Sequence, residues 1–292
     1  MNKENKIAII GLSGESIFMK MDHFNEEGET VVANTYHVEY GGKGYNQAVA
    51  AARYGAKVSF LTLCGDDNIS NLVEVSLKKE NINAYVIKRQ GKKSASACIM
   101  IDKEGRNRVV CYPGVSSELT KEDVMLFEEE IKTSKYLLLQ LEMSDESLYK
   151  AIELAKKYNT LVILNPAPAK KLPLNLLKDV YLLTPNEHEA KILFDLEDFD
   201  DLKNLELNNI IITLGEKGSI LKEESNIYNI PAINVKPINT TGAGDTYNGV
   251  LCAALLEGNG LYDAAKIAGL AASISVTKEF VIDSIPYKEE IK

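Results

Sequence analysis

The feature that most constrains the fold of this chain is the recurrence of short β-rich apolar runs separated by segments of helical period. Lys6–Gly11, Val58–Leu63, Tyr136–Gln140, Thr160–Leu164, Val180–Thr184 and Asn209–Thr213 read as strands. Tyr45–Tyr54, Ser70–Leu77, Lys121–Ile131, Asp145–Lys157 and Glu187–Phe194 read as the helices between them, the last opened by a cap at Asn186. Strands that alternate with crossover helices predict a doubly wound α/β fold, a mostly parallel sheet flanked by helices. Ser16–Tyr40 and Ala84–Tyr112 break the rhythm with β-rich runs joined by polar turns such as Glu26-Glu27-Gly28 and Lys103-Glu104-Gly105. They predict two insertions, about residues 15–41 and 84–112, that pair into a small β-sheet lid over a cleft. No repeat or linker divides the chain, so residues 1–292 are expected to form a single domain.

Composition narrows the function. With 292 residues, 45% hydrophobic and 26% charged, the chain can bury a large core and is neither disordered nor fibrous. A net charge of −9 repels a polyanion, which argues against nucleic acid as the main partner. The longest apolar stretches, such as Val250–Leu256, fall well short of the roughly 20 residues a membrane helix needs. The charged start Met1–Lys6 runs into the short apolar Ile7–Ile10 without a secretory cleavage pattern, so the cytoplasm is the expected compartment. Cys64, Cys98, Cys111 and Cys252 form no C-x-x-C pair and read as packing residues. His23, His37 and His188 lack zinc-ligand spacing.

Two glycine-rich segments carry candidate chemistry. In Asn239-Thr240-Thr241-Gly242-Ala243-Gly244-Asp245-Thr246-Tyr247-Asn248-Gly249, glycines at a helix entrance let backbone N–H groups approach an anion, and Asp245 sits in the first turn where a base for a hydroxyl nucleophile would stand. A lone G-x-G-D is more often a tight turn with a favourable N-terminal charge. Gly41-Gly42-Lys43-Gly44-Tyr45-Asn46-Gln47 leads into an alanine-rich helix and offers amides and a lysine to a polyhydroxylated ligand. By itself it could equally be a flexible turn with a solvated lysine. Neither segment has Walker A spacing, and no G-x-G-x-x-G follows the first strand.

Taken together, these segments resemble the ribokinase branch of the PfkB carbohydrate kinases over almost the whole chain. Gly41–Ala56 is similar to the first signature of that family and Asn239–Val250 to the second. Gln140-Leu141-Glu142, Leu164–Ala169, Thr184–Ala190 and Thr213–Gly218 follow in the family's order. The resemblance implies ATP-dependent phosphorylation of a hydroxymethyl group on a small sugar. It implies Asp245 as catalytic base, and Gly242, Ala243 and Gly244 as an anion hole. Gly42, Lys43, Asn46 and Glu142 would contact the sugar, together with Asp245. Asn186, Thr213, Gly215 and Gly218 would bind the nucleotide, and Asn186 with Glu189 would organise Mg²⁺ through water. It also implies a K⁺ site at Asn239 and Thr241 and a homodimer formed through the lid. Without the resemblance, Asn186 and Glu189 read as a helix cap and capping box, Thr213 as a strand end and Glu142 as a solvated residue.

The chain departs from the pattern in two places. In Gly11-Leu12-Ser13-Gly14-Glu15-Ser16-Ile17-Phe18, Gly14 and Ser16 stand where ribokinases carry the Asn and Asp that grip sugar hydroxyls. Losing those contacts lowers ribose affinity by roughly 1.5–3 kcal/mol for each charge-assisted bond unless Glu15 compensates. It is equally consistent with a pocket that Gly14 widens for a deoxy sugar, another furanose or a nucleoside. A substrate other than ribose is therefore expected first. A nucleoside kinase of the same fold and a non-catalytic ligand-binding homologue are the rival readings. Asn239 replaces a family Asp, and Glu279-Phe280 replaces a glycine-containing turn, and both changes weaken a K⁺ site.

Overall fold

The computed structural model describes residues 3–196 and 199–292. Strand β1 (Glu4–Ile10) is followed by β2 (Gly14–Lys20), β3 (Thr35–Gly41), α1 (Lys43–Arg53), β4 (Lys57–Gly65), α2 (Asn68–Lys79) and β5 (Asn83–Arg89). Next come β6 (Ala95–Ile101), β7 (Asn107–Tyr112), α3 (Lys121–Met125), α4 (Glu128–Thr133), β8 (Ser134–Leu139), α5 (Asp145–Tyr158) and β9 (Leu161–Leu164). Then follow α6 (Leu174–Leu177), β10 (Leu182–Leu183), α7 (Glu187–Phe194), β11 (Asn209–Thr213), β12 (Ser219–Glu223), β13 (Asn226–Ile230), α8 (Ala243–Leu256) and α9 (Leu261–Ser275). Among the described residues no helix is long and apolar enough to cross a membrane.

The large sheet has the order β13-β12-β11-β10-β9-β8-β1-β4-β5. Its strands run parallel from β11 to β5, and only the β11–β12 and β12–β13 ladders are antiparallel. Strand β1 shows why the core has two layers. Its side chains alternate across the sheet, so Ile7 and Ile9 join the apolar layer that includes α1, α8 and α9, while Ala8 and Ile10 join the layer that includes α3, α4 and α5. A central parallel strand covered on both faces reads as a continuous apolar run, which is how Ile7–Ile10 looked in the sequence.

The small sheet has the order β3-β2-β6-β7, so the two insertions pair with each other through the parallel β2–β6 ladder. One boundary differs from expectation. Residues 84–89 lie in β5, the edge strand of the large sheet, and the second piece of the small sheet starts at Ala95. A half-buried edge strand followed by a Gln90-Gly91 turn has the same sequence pattern as a hairpin arm. The expected helix Lys121–Ile131 is broken into α3 and α4 around Phe127, whose side chain is fully buried. The hairpin β12–β13 and helix α9 had no counterpart in the sequence reading.

Candidate active site

The C-terminal ends of β9, β10 and β11 and the N-termini of α1, α7 and α8 converge on a cavity of about 210 Å³, the position where open parallel sheets place their ligands. Helices α1 and α8 reach it because they pack closely. A Cβ at Gly249 on α8 would lie 2.6 Å from Ala50 Cβ and 3.0 Å from Ala51 N on α1. That approach brings Asn46 and Gln47 of α1 against Asp245 in the first turn of α8.

Asp245 is 8% exposed and lines the cavity. Asn46 Nδ2 donates to its Oδ2 at 3.0 Å and Gln47 Nε2 to its Oδ1 at 3.0 Å, so both carboxylate oxygens are oriented by neutral donors. Gln47 is itself held by Gln140 Nε2, which donates to Gln47 Oε1 at 2.6 Å, and Gln47 Nε2 also reaches Asn165 Oδ1 at 3.1 Å. From there Asn165 Nδ2 donates to the Thr184 carbonyl at 3.1 Å, the Thr184 hydroxyl donates to Asn248 Oδ1, and Asn248 Nδ2 donates to the Gly244 carbonyl at 2.8 Å. A buried network of this kind fixes rotamers at the ends of three strands and ties them to the start of α8.

Gly242 caps α8 with φ +78°, and a Cβ there would run into Val281 Cγ1, so the turn requires glycine. The first-turn N–H groups of Gly244 and Asp245 have no intrahelical carbonyl to bond, and they sit at the positive end of the helix dipole. Lys43 lines the same cavity. Burial alone would lower its pKa, but the charges of Asp245, Glu142 and Glu189 outweigh burial and hold the ammonium above its ordinary value. Glu142 accepts the Lys43 backbone N–H at 3.2 Å, and burial raises its own pKa against the pull of Lys43.

At the N-terminus of α7, Asn186 and Glu189 form the capping box that their spacing suggested. Asn186 N and Nδ2 donate to the two Glu189 carboxylate oxygens at 2.8 and 2.9 Å, and Asn186 Oδ1 accepts Glu189 N at 2.8 Å. Both residues nevertheless face the cavity, and burial raises the Glu189 pKa. A carboxylate and an amide oxygen are hard donors that suit Mg²⁺, and their existing bonds favour contact through retained waters.

The cavity thus gathers Lys43, Asn186, Glu189, Thr213, Gly242, Gly244 and Asp245 from the residues expected on sequence, and Ala243 lies between the two glycines. Gly42 caps α1, and Asn46 and Glu142 stand one hydrogen bond behind the lining. Gly215 and Gly218 lie in the turn between β11 and β12 and do not line the cavity. Sequence reasoning gave no role to Gln140, Asn165, Thr184 and Asn248, and took Gln47 as an amide for the ligand, whereas its side chain orients Asp245. Polar side chains at the C-terminal ends of otherwise apolar strands were the available signal.

At the expected K⁺ site the Asn239 amide is bonded at both ends. Asn239 Nδ2 donates to the Glu279 carbonyl at 2.7 Å, and Asn239 Oδ1 accepts Thr241 N at 3.0 Å. Asn239 thus turns an N–H₂ donor toward that carbonyl, where a carboxylate would present an oxygen. The two sugar-strand substitutions are also clarified. A Cβ at Gly14 would lie 2.5 Å from the Ala95 carbonyl oxygen, so β6 fills that space and Gly14 does not widen the pocket. Glu15 is paired with Tyr40, whereas Ser16 is paired with Glu39. Strand alternation therefore sets Glu15 on the opposite face of the small sheet from Ser16, and it does not replace the missing carboxylate.

Comparisons with known proteins agree with this architecture. A family model described as pfkB family carbohydrate kinase matches residues 5–288. A ribokinase from Haemophilus influenzae is 35% identical over 97% of this chain and 96% of its own length. A deoxyribokinase from Salmonella typhi is 34% identical over 97% of this chain and 96% of its own. The crystal structure of a ribokinase from Thermotoga maritima superposes with a TM-score of 0.87 at 34% identity, covering 98% of this chain and 97% of that one.

Proposed function

The chain belongs to the pfkB family of carbohydrate kinases, in its ribokinase branch, and from that premise we propose that it uses ATP and Mg²⁺ to phosphorylate the hydroxymethyl group of a small sugar at Asp245. As a sugar kinase it is a phosphotransferase with an alcohol acceptor. The observation that carries the reading is the Asp245 carboxylate, oriented by Asn46 and Gln47 beside the open first turn of α8 and the charged Lys43.

In this reading Asp245 accepts the hydroxyl proton as the oxygen attacks the γ-phosphorus of ATP. The bond from that phosphorus to the bridging oxygen of ADP breaks, and the proton stays on Asp245 until release. The N–H groups at Gly242, Ala243 and Gly244, together with Lys43, offset the negative charge that accumulates on the transferred group. Glu142 and Asn46 hold sugar hydroxyls, and the small sheet excludes water. Glu189 and Asn186 would hold Mg²⁺, which when bound neutralises phosphate charge. Thr213, with Gly215 and Gly218 in the next turn, borders the nucleotide. This reading expects the cytoplasm as the compartment, where ATP is supplied.

Within the sugar class, a pentose with fewer hydroxyls than ribose fits best, a 2-deoxypentose first. Ser16 offers a hydroxyl where a carboxylate would grip a diol, and the neighbouring Glu39 carboxylate is already bonded to Val281, Ile282 and Asp283. ADP release is the readout, with purified protein, ATP and Mg²⁺, against pentoses, deoxypentoses, hexoses and nucleosides in K⁺ and in K⁺-free buffer. We expect turnover of a deoxypentose above ribose, with a rate that K⁺ does not change. Preference for a nucleoside would refute the sugar assignment, and strong K⁺ activation would refute the role given to Asn239.

We propose that the homodimer forms on one face of the small sheet. On the sheet face opposite Glu39, Tyr36, Val110 and Tyr112 are 65%, 64% and 57% exposed, beside Ile17, Met19 and Val38. An apolar sheet face of this kind is covered in most soluble proteins, and a second copy of the same sheet is the occupant proposed. Sedimentation should give a dimer that Tyr36→Glu weakens, and a wild-type monomer at all concentrations would contradict this.

A further inference from the structure

The segment Glu279–Asp283, after α9, is gripped from two sides. From the small sheet, Lys20 pairs with Glu279, and the His37 ring stacks on Phe280 with centroids 3.7 Å apart. Phe18 meets Phe280 edge-on at 5.9 Å. The Glu39 carboxylate, 7% exposed, accepts the N–H of Val281 at 3.0 Å on Oε2, and those of Ile282 and Asp283 at 3.0 and 3.4 Å on Oε1. From the anion-binding loop, Asn239 holds the Glu279 carbonyl and the Val281 side chain packs against Gly242. One short segment therefore touches both the small sheet and the glycine that sets the start of α8.

We propose that Glu39 is a positioning residue, fastening the small sheet to the anion-binding loop through the three N–H groups of Val281–Asp283. A glutamate in an amphipathic lid strand would ordinarily be solvated. This one is desolvated and placed where three consecutive backbone donors converge, which a carboxylate satisfies and a neutral side chain cannot. With those donors unpaired, the segment relaxes and Val281 no longer supports Gly242. The amides of the first turn of α8 then lose their aim. Movement of the small sheet onto a substrate is relayed to the anion-binding amides by the same contact, so the site is completed only when the sheet is in place.

The kinetic arm of the test rests on the kinase reading, whereas the exchange arm does not. For Glu39→Gln, kcat should fall about 10- to 100-fold, as misplacement of stabilising donors does, with KM for ATP unchanged and the melting temperature lowered by only a few degrees. A loss confined to KM for the sugar, with kcat intact, would make Glu39 a sugar contact and overturn the proposal. In hydrogen exchange, the same variant should expose peptides covering both 279–283 and 242–246. An increase confined to 279–283 would overturn the proposal whether or not a substrate is known. Should Glu39→Gln fail to fold, Phe280→Ala loosens the same segment from the small sheet and is read by the same two peptides with the same criteria.

Discussion

Replacing Asp245 by Asn is expected to lower kcat by about 10² to 10⁴-fold, the range that general-base catalysis supplies, while leaving nucleotide affinity nearly unchanged. Asn46 and Gln47 each donate an N–H to one oxygen of the carboxylate. An amide at 245 can accept only one of those bonds and presents its own N–H₂ to the other donor. The substitution therefore removes the base and also turns one partner away. In the proposed reading the nucleotide lies along α7 and the end of β11, with Asp245 serving the sugar hydroxyl, so a titration with ATP should show similar affinity in both proteins. Full turnover by the Asn variant would remove Asp245 from the chemistry.

Gly249→Ala is expected to lower both stability and turnover, because the close approach of α8 to α1 leaves no room for the added methyl. The added carbon would run into the Gln47 carbonyl oxygen and approach Ala50 Cβ to 2.6 Å. Both neighbours belong to α1, one as backbone and one as a fully buried side chain, so neither can swing away. Overpacking of this kind costs about 1–3 kcal/mol, which thermal or denaturant unfolding will register as a clear loss of stability. The same displacement moves Asn46 and Gln47 away from Asp245, so kcat should fall in the fraction that remains folded. A variant with wild-type stability and kcat would mean that the close packing of α1 on α8 does not set the geometry of the site.

What the sequence made legible, and what it did not, follows from the range of the interactions. Buried parallel strands announce themselves, because Ile7–Ile10 must be apolar on both faces of the sheet. The turn at Gly242 and the carboxylate beside it are equally local, since glycine, helix start and carboxylate lie within four residues. The capping box at Asn186 and Glu189 was legible for the same reason, and the structure shows that a cap can also face the cavity. Interactions that join distant segments left no such trace. Gln140 and Gln47 meet across 93 positions, and Glu39 meets Val281 across 242, so nothing in either local neighbourhood announced the pairing. The pattern also failed where two structures share one signature. An edge strand such as β5 and a hairpin arm both read as half-buried alternation. Gly14 illustrates the converse error: a small residue suggests room, yet the space beside it is filled by the backbone of Ala95.

The central claim is that this cavity transfers the γ-phosphoryl group of ATP to a hydroxymethyl oxygen. Phosphorus–proton correlation NMR on the completed reaction with the best sugar of the panel tests it most directly. The account predicts one phosphate ester coupled to the methylene protons of the hydroxymethyl carbon, formed in equal amount with ADP. Phosphate on a ring or anomeric oxygen, or ADP accompanied by inorganic phosphate and unmodified sugar, would contradict it.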